Sequence, residues 1–173
     1  YDETLSTSII WYLNEDEYEI LDSISRKIYD IPYLEVEIET LIEEINKWRD
    51  SSKEGFMVKN GKITYLSFIE PFKPLNSKPF NFPMEVISLK SLQVLILKRV
   101  EIDSIPEEIN QLKNLNILIL GNNGLTSLPD SLGDLENLNF LKITGTKISK
   151  LPSTIGKLTN LYNLDLEMNY LLQ

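Results

Sequence analysis

Large apolar residues recur along the second part of this chain at one fixed interval. Leu89, Leu112, Leu135 and Leu158 form one column, and Leu92, Leu115, Leu138 and Leu161 a second. Leu95, Leu118, Leu141 and Leu164 make a third; Leu97, Leu120, Ile143 and Leu166 a fourth; Ile102, Leu125, Ile148 and Leu171 a fifth. The pairs Phe82-Pro83, Ile105-Pro106, Leu128-Pro129 and Leu151-Pro152 keep the same beat. A strict period of this length predicts stacked units, each unable to bury its apolar face alone. Inside each unit the spacing Leu-x-x-Leu-x-Leu predicts a short strand whose alternate side chains point inward. The proline that follows cannot donate to a ladder and ends the extended stretch.

The first third has another rhythm. Asn14, with Glu17 three positions on, reads as a helix start with a reciprocal acid. Ile20, Leu21, Ile24, Ile28 and Ile31 follow at helical spacing. Pro32 suits the first turn of a second helix, where Leu34, Ile38, Leu41, Ile42, Ile45 and Trp48 share one face. Phe56 to Val58 and Ile63 to Ile69 read as strands joined across Asn60-Gly61, and the second repeats the unit's strand pattern. Between it and Leu92 lie six residues more than the period allows, around Pro71, Pro74 and Pro79. That stretch is expected to loop.

From about residue 61 onward the chain resembles the leucine-rich repeat family in its 23-residue intracellular form. Leu128-Pro129, Leu132-Gly133, Leu135, Asn137-Leu138, Leu141, Ile143 and Ile148 carry the resemblance, with Asn123 in the neighbouring unit. It implies an α/β solenoid with a parallel concave sheet of about five strands, preceded by an α-helical N-terminal cap. The division expected is residues 1–60 as a helical acidic cap region and 61–173 as the solenoid. In this family an asparagine after the strand bonds backbone groups of adjacent turns. Here the column holds Val100, Asn123, Thr146 and Asn169. Thr146 can replace part of that bonding and Val100 cannot, so an irregularity is expected at Val100. A further Leu-Pro is due where the chain ends at Gln173. Either the native protein continues there, or Tyr170, Leu171 and Leu172 close the end.

Charge sharpens the division. Residues 1–60 hold 15 Asp and Glu against 6 Lys and Arg, so the whole formal charge of −9 sits there, and 61–173 balance. An acidic chain with no basic stripe is unsuited to gripping phosphate backbones, so nucleic acid is not an expected partner. No apolar run reaches the roughly 18 residues of a membrane helix, and no membrane association is expected. Tyr1 to Thr7 show no basic-then-apolar signal pattern, and the first residue is not Met. Cysteine is absent, which points to a reducing, cytoplasmic setting.

Histidine is missing as well. That removes His-centred triads, cysteine nucleophiles and nearly every transition-metal site, so no catalytic residue, cofactor or metal is expected. Acidic clusters at Glu15 to Glu19, at Glu107-Glu108 and at Asp165 with Glu167 read as solvated or contact surface.

The outward positions of the strands carry the candidate site. Alternation turns Tyr65, Val94, Ile117, Phe140 and Asn163 to the concave face, then Ser67, Ile96, Ile119, Lys142 and Asp165. A third column reads Ile69, Lys98, Gly121, Thr144 and Glu167. Tyr65, Ile69, Val94, Ile96, Ile117, Ile119 and Phe140 would form a contiguous apolar field, with Lys98, Lys142 and Asp165 selecting orientation. Such a field usually marks a protein partner. Two other readings stand beside it: the N-terminal helices fold back over these residues, or β-branched side chains simply suit strands. Five strands about 4.8 Å apart give a face of roughly 300 Å², short of the ~800 Å² per partner of a standard interface. The function expected is a non-catalytic protein-binding module. The alternatives are a regulatory segment of a larger GTPase or kinase, or weak self-association in a structural protein.

Overall fold

A computed structural model describes Ile20 and residues 55–59, 62–69 and 81–169, with backbone alone at 55–58, 68 and 69. Ile20 is helical. The helices expected elsewhere in 1–60 and the Pro-rich loop around 71–79 lie outside the described residues.

Strands β1 (Gly55–Lys59) and β2 (Lys62–Ile69) form an antiparallel hairpin, with Gly55 opposite Ser67 and a bulge between Met57 and Val58. The hairpin straddles the change in charge near Gly61. Beyond it β3 (Val94–Lys98), β4 (Ile117–Gly121), β5 (Phe140–Thr144) and β6 (Asn163–Asp165) add in chain order, each parallel to the one before. Five parallel strands, β2 to β6, therefore bear out the expected sheet, and β1 extends it by one. The register keeps the repeat: Tyr65, Val94, Ile117, Phe140 and Asn163 stand side by side.

A five-residue 3-10 turn precedes each of β3 to β6: η1 (Met84–Ser88), η2 (Glu107–Gln111), η3 (Asp130–Asp134) and η4 (Ser153–Lys157). The prolines at 83, 106, 129 and 152 occupy the N-cap of these turns with φ between −73° and −62°. That is the value their rings impose, so the turn entry costs little ordering entropy. Five residues are too few for a stable α-helix, and the tighter i to i+3 bond closes the turn instead.

Leucine columns fill the space between strands and turns. Leu66, Leu95, Leu118 and Leu141 are fully buried, as are Leu89, Leu112 and Leu135. Leu164 breaks the series at 43% exposed, because it belongs to the last described coil.

Polar ladders join the coils. Asn123 Nδ2 donates to Leu97 O at 2.8 Å, and Asn169 Nδ2 donates to Ile143 O at 2.6 Å. Asn169 Oδ1 also accepts from the Thr146 amide and hydroxyl. A second ladder runs through Asn114, Asn137 and Asn160, whose carboxamides donate to Lys90 O, Lys113 O and Glu136 O. Just after each strand one residue turns left-handed: Arg99, Asn122, Gly145 and Met168, with φ of 52° to 63°. Glycine is needed only at 145, where a Cβ would lie 2.3 Å from Asn122 Oδ1.

The expected irregularity is present at Val100. Among the described residues, only there does a second one, Glu101, take a left-handed φ, at 58°. In the next coil Asn123 Oδ1 is buried without a hydrogen-bond partner. Valine has no hydroxyl to offer, whereas Thr146 supplies one to Asn169 a coil later. Val100→Thr is nearly isosteric and presents a donor to that orphaned oxygen. It is expected to stabilise the protein by about 0.5–1.5 kcal/mol, read as a raised urea midpoint at constant m-value.

Turn η3 lacks a capping side chain of its own and borrows one from the coil before it. Glu107 Oε2 accepts from the Ser131 amide at 3.0 Å. Hydrogen bonding with Ser131 holds the Glu107 carboxyl below the ordinary carboxylate range. A lowered folded-state pKa gives stability that is present above the unfolded value and lost as pH falls through the folded one. Parent and Glu107→Gln should therefore differ in urea midpoint at pH 7 and converge on acidification below about pH 4.

Candidate binding face

Side chains that alternate with the leucine spine stand on the outer face of the sheet. The sequence reading weighs an open apolar field there against one hidden by other parts of the chain, and in the structure these side chains are buried. Tyr65, Val94, Ile96, Ile117 and Ile119 are only 2–8% exposed, and Ser67 is fully buried. They are nevertheless separate from the leucine cluster that fills the spine. Neighbouring strands about 4.8 Å apart flank a side chain but cannot roof it. Burial this deep exceeds what the flanking strands alone provide. The reading in which residues 1–60 supply the cover falls outside the described residues.

Burial of the Tyr65 ring pushes its hydroxyl above the ordinary phenol range, opposed in part by a hydrogen bond with Ser67. Ile69 lies opposite Lys98 in the β2–β3 register, and its side chain is outside the description.

This deep burial ends at β5. Phe140, Lys142 and Thr144 are half-buried, and Asn163 and Glu167 on the β6 coil are exposed. Lys142 Nζ donates to Asp165 Oδ2 at 2.6 Å, each side chain 22% exposed. Lys98, also half-buried, lays its stem beside Gly121, where an added Cβ would come within 3.2 Å of its Cγ. The structure thus divides the ten expected site residues. Phe140, Lys142 and Asp165 meet on an accessible strip, and Lys98 borders it. The five at positions 65, 94, 96, 117 and 119 are buried. Tyr162 and Met168, 74% and 81% exposed, widen the accessible end. Strand alternation singled out neither, since both stand just outside the outward positions of β6.

The acidic side chains singled out by sequence have structural partners. Glu107 caps a turn, and Asp165 holds Lys142 and the Glu167 amide. Among the described residues no group of three or more His, Cys, Asp or Glu could hold a metal ion, and no helix is long and apolar enough to cross a membrane.

Residues 90–148, which span β3 to β5, match the family model described as leucine rich repeat. The fold is a leucine-rich repeat solenoid. A leucine-rich repeat protein of Leptospira interrogans shares 31% identity over 71% of this chain and 32% of its own, with a TM-score of 0.56. The BIR3–SERK2 complex of Arabidopsis thaliana contributes a chain with 26% identity and a TM-score of 0.50, over 67% of this chain and 61% of that one. A plant ice-binding protein, 22% identical with a TM-score of 0.64, covers 92% of this chain and 50% of its own, a likeness of fold alone. This chain thus spans from about a third to three fifths of these solved chains. No curated protein matches it. The match is to a repeat scaffold, and no enzyme family is indicated.

Proposed function

We propose that the chain is a non-catalytic protein-binding module that captures its partner on the outer face of the solenoid sheet. Residues 1–60 would form its acidic cap region and 61–173 its repeats. The observation that carries this reading is the strip of Phe140, Lys142 and Asp165. There a half-buried aromatic ring adjoins an ion pair that joins β5, whose Leu141 and Ile143 are fully buried, to β6. An apolar anchor beside oriented charge supplies affinity and selects the partner's orientation. Leucine-rich repeats serve commonly as interaction modules, and the Arabidopsis match was solved as part of a complex. The lack of cysteine leaves nothing to gain from an oxidising compartment and supports a cytoplasmic setting.

Partners retained by the parent chain would be identified by mass spectrometry, purified and titrated against Phe140→Ala and Lys142→Glu. Both side chains are half-exposed, so the fold should survive either change. A loss of about 30-fold or more in affinity is expected for each. Equal affinity for both variants and the parent sinks the assignment.

A further inference from the structure

We propose that Asn123-Gly124 is a site of spontaneous covalent modification, withheld while the coil is stacked, whose reaction bars that coil from stacking again. This goes beyond the binding role argued above and does not depend on it. The chemistry starts from the pair itself. The Gly124 amide nitrogen stands where it can close a ring on the Asn123 carboxamide carbon, and glycine has no Cβ to screen it. When that nitrogen gives up its proton and attacks Cγ, the Cγ–Nδ2 bond breaks. The carboxamide nitrogen leaves with the proton as ammonia, and a cyclic imide remains. Water then opens the imide at either carbonyl. The product is aspartate or, with the main chain routed through Cγ, isoaspartate, and nothing but water is consumed.

The stacked coil holds this reaction back. Asn123 is 6% exposed, and its Nδ2 is engaged by Leu97 O at 2.8 Å. Attack requires Cγ to swing away from that bond, so it waits for the joint between β3 and β4 to open. That joint is the less well tied of the ladder's two. Asn123 Oδ1 is buried without a partner, whereas Asn169 Oδ1 is held by the Thr146 amide and hydroxyl. Of the two ladder asparagines only Asn123 precedes a glycine. Nor does the fold demand that glycine. Gly124 takes no positive φ, and an added Cβ would meet nothing nearer than Ile102 O at 3.4 Å. The product cannot resume the old place. A carboxylate has no hydrogen to give Leu97 O, and its charge would be buried unpaired. Isoaspartate also lengthens the main chain by one carbon just after β4, the middle of the five parallel strands. The fault therefore falls in mid-stack, where both neighbouring coils depend on the register.

Peptide mapping by mass spectrometry follows Asn123 in the full chain, with Asn60-Gly61, the other such pair, as a running clock in urea. Unfolded, the parent should convert Asn123 about as fast as Asn60, and Gly124→Ala should convert it at least ~10-fold more slowly. Folded, the parent should convert Asn123 at least ~30-fold more slowly than in urea, and Val100→Thr a further ~2- to 10-fold more slowly. After full conversion in urea and return to buffer, the parent should unfold at a lower urea midpoint than fresh parent. Gly124→Ala, aged through the same reaction at Asn60, should recover its own fresh midpoint. Folded and unfolded parent converting within ~3-fold of each other, or Val100→Thr and parent converting equally when folded, would overturn the proposal. Full recovery of the reacted parent would overturn it as well. So would an equal loss in aged Gly124→Ala, by placing the damage elsewhere in the chain.

Discussion

Leu118→Ala is expected to lower the stability of the folded chain by about 2–5 kcal/mol, while Leu164→Ala, one column-mate away by only two coils, costs less than about 1 kcal/mol. The two leucines occupy the same place in the repeat, on strands that pair with β5 from opposite sides. Leu118 is fully buried and packed between coils on both sides. Truncating it removes transfer free energy and leaves a cavity that its neighbours, fixed by their own columns, cannot collapse into. Leu164 is 43% exposed, so less apolar area is lost and no closed cavity forms. Urea unfolding of the two variants beside the parent measures the difference. Similar losses for both would mean that the last coil is as well packed as the middle one.

Gly133→Ala and Gly156→Ala form a second matched pair, and the expected effects have opposite signs. Both glycines lie in the fourth position of a 3-10 turn, 23 residues apart. A Cβ at Gly133 would stand 2.3 Å from Thr154 O and 2.8 Å from its carbonyl carbon. These are backbone atoms of η4, so relief requires moving one coil away from the next. Thr154, whose hydroxyl donates to Asp130 O at 2.6 Å, ties the two turns together against such a movement. A cost of about 1–3 kcal/mol is expected for Gly133→Ala. At Gly156 an added Cβ meets nothing within 4 Å. There alanine mainly restricts the unfolded chain and is expected to stabilise by about 0.4–1 kcal/mol. Thermal melts of both variants decide it; a harmless Gly133→Ala would show that the coils are more loosely stacked than they stand here.

The parts of this fold legible in the sequence are those in which one residue type meets one physical need. Leu95, Leu118 and Leu141 repeat because a shared interior accepts only apolar side chains. Pro83, Pro106, Pro129 and Pro152 repeat because a turn entry requires one φ. The Asn123 and Asn169 bonds and the fault at Val100 were legible for the same reason, since a side-chain carboxamide or hydroxyl has few substitutes in that place. The left-handed column was not. Arg99, Asn122, Gly145 and Met168 share a backbone angle and nothing else, so no pattern of residue types betrays it. The ladder through Asn114, Asn137 and Asn160 was half-visible: its residues repeat, but their bonds run to main-chain oxygens of the preceding coil, which a sequence does not display.

For the candidate site the division is sharper. Alternation placed Phe140, Lys142 and Asp165 on the sheet's outer face, and their accessible grouping agrees with that. It could not tell that Ile96 and Ile119 would be shut away. Local pattern decides which way a side chain points from its strand. Whether anything lies above it depends on residues far away in the chain, and alternation carries no record of them. The same limit explains why Ile96→Asp or Ile119→Asp makes a poor probe of binding: a carboxylate placed there is buried without a partner and unfolds the sheet first.

The hydrogen bonds between coils also have a mechanical meaning. The Gln93 amide donates to Thr64 O, the Asn116 amide to Gln93 O, the Asn139 amide to Asn116 O and the Tyr162 amide to Asn139 O. A force applied along the stack meets these contacts in series rather than sharing itself among them. The weakest rung yields first, at the β6 end where Leu164 leaves the spine, and the break then travels inward. Each coil between β3 and β6 releases 23 residues as it yields, or about 80 Å of slack once drawn straight, and the β2–β3 step releases 29. Under tension the molecule would lengthen in a staircase of even treads with one longer step at the β2 end, behaving as a spring with a countable number of stops.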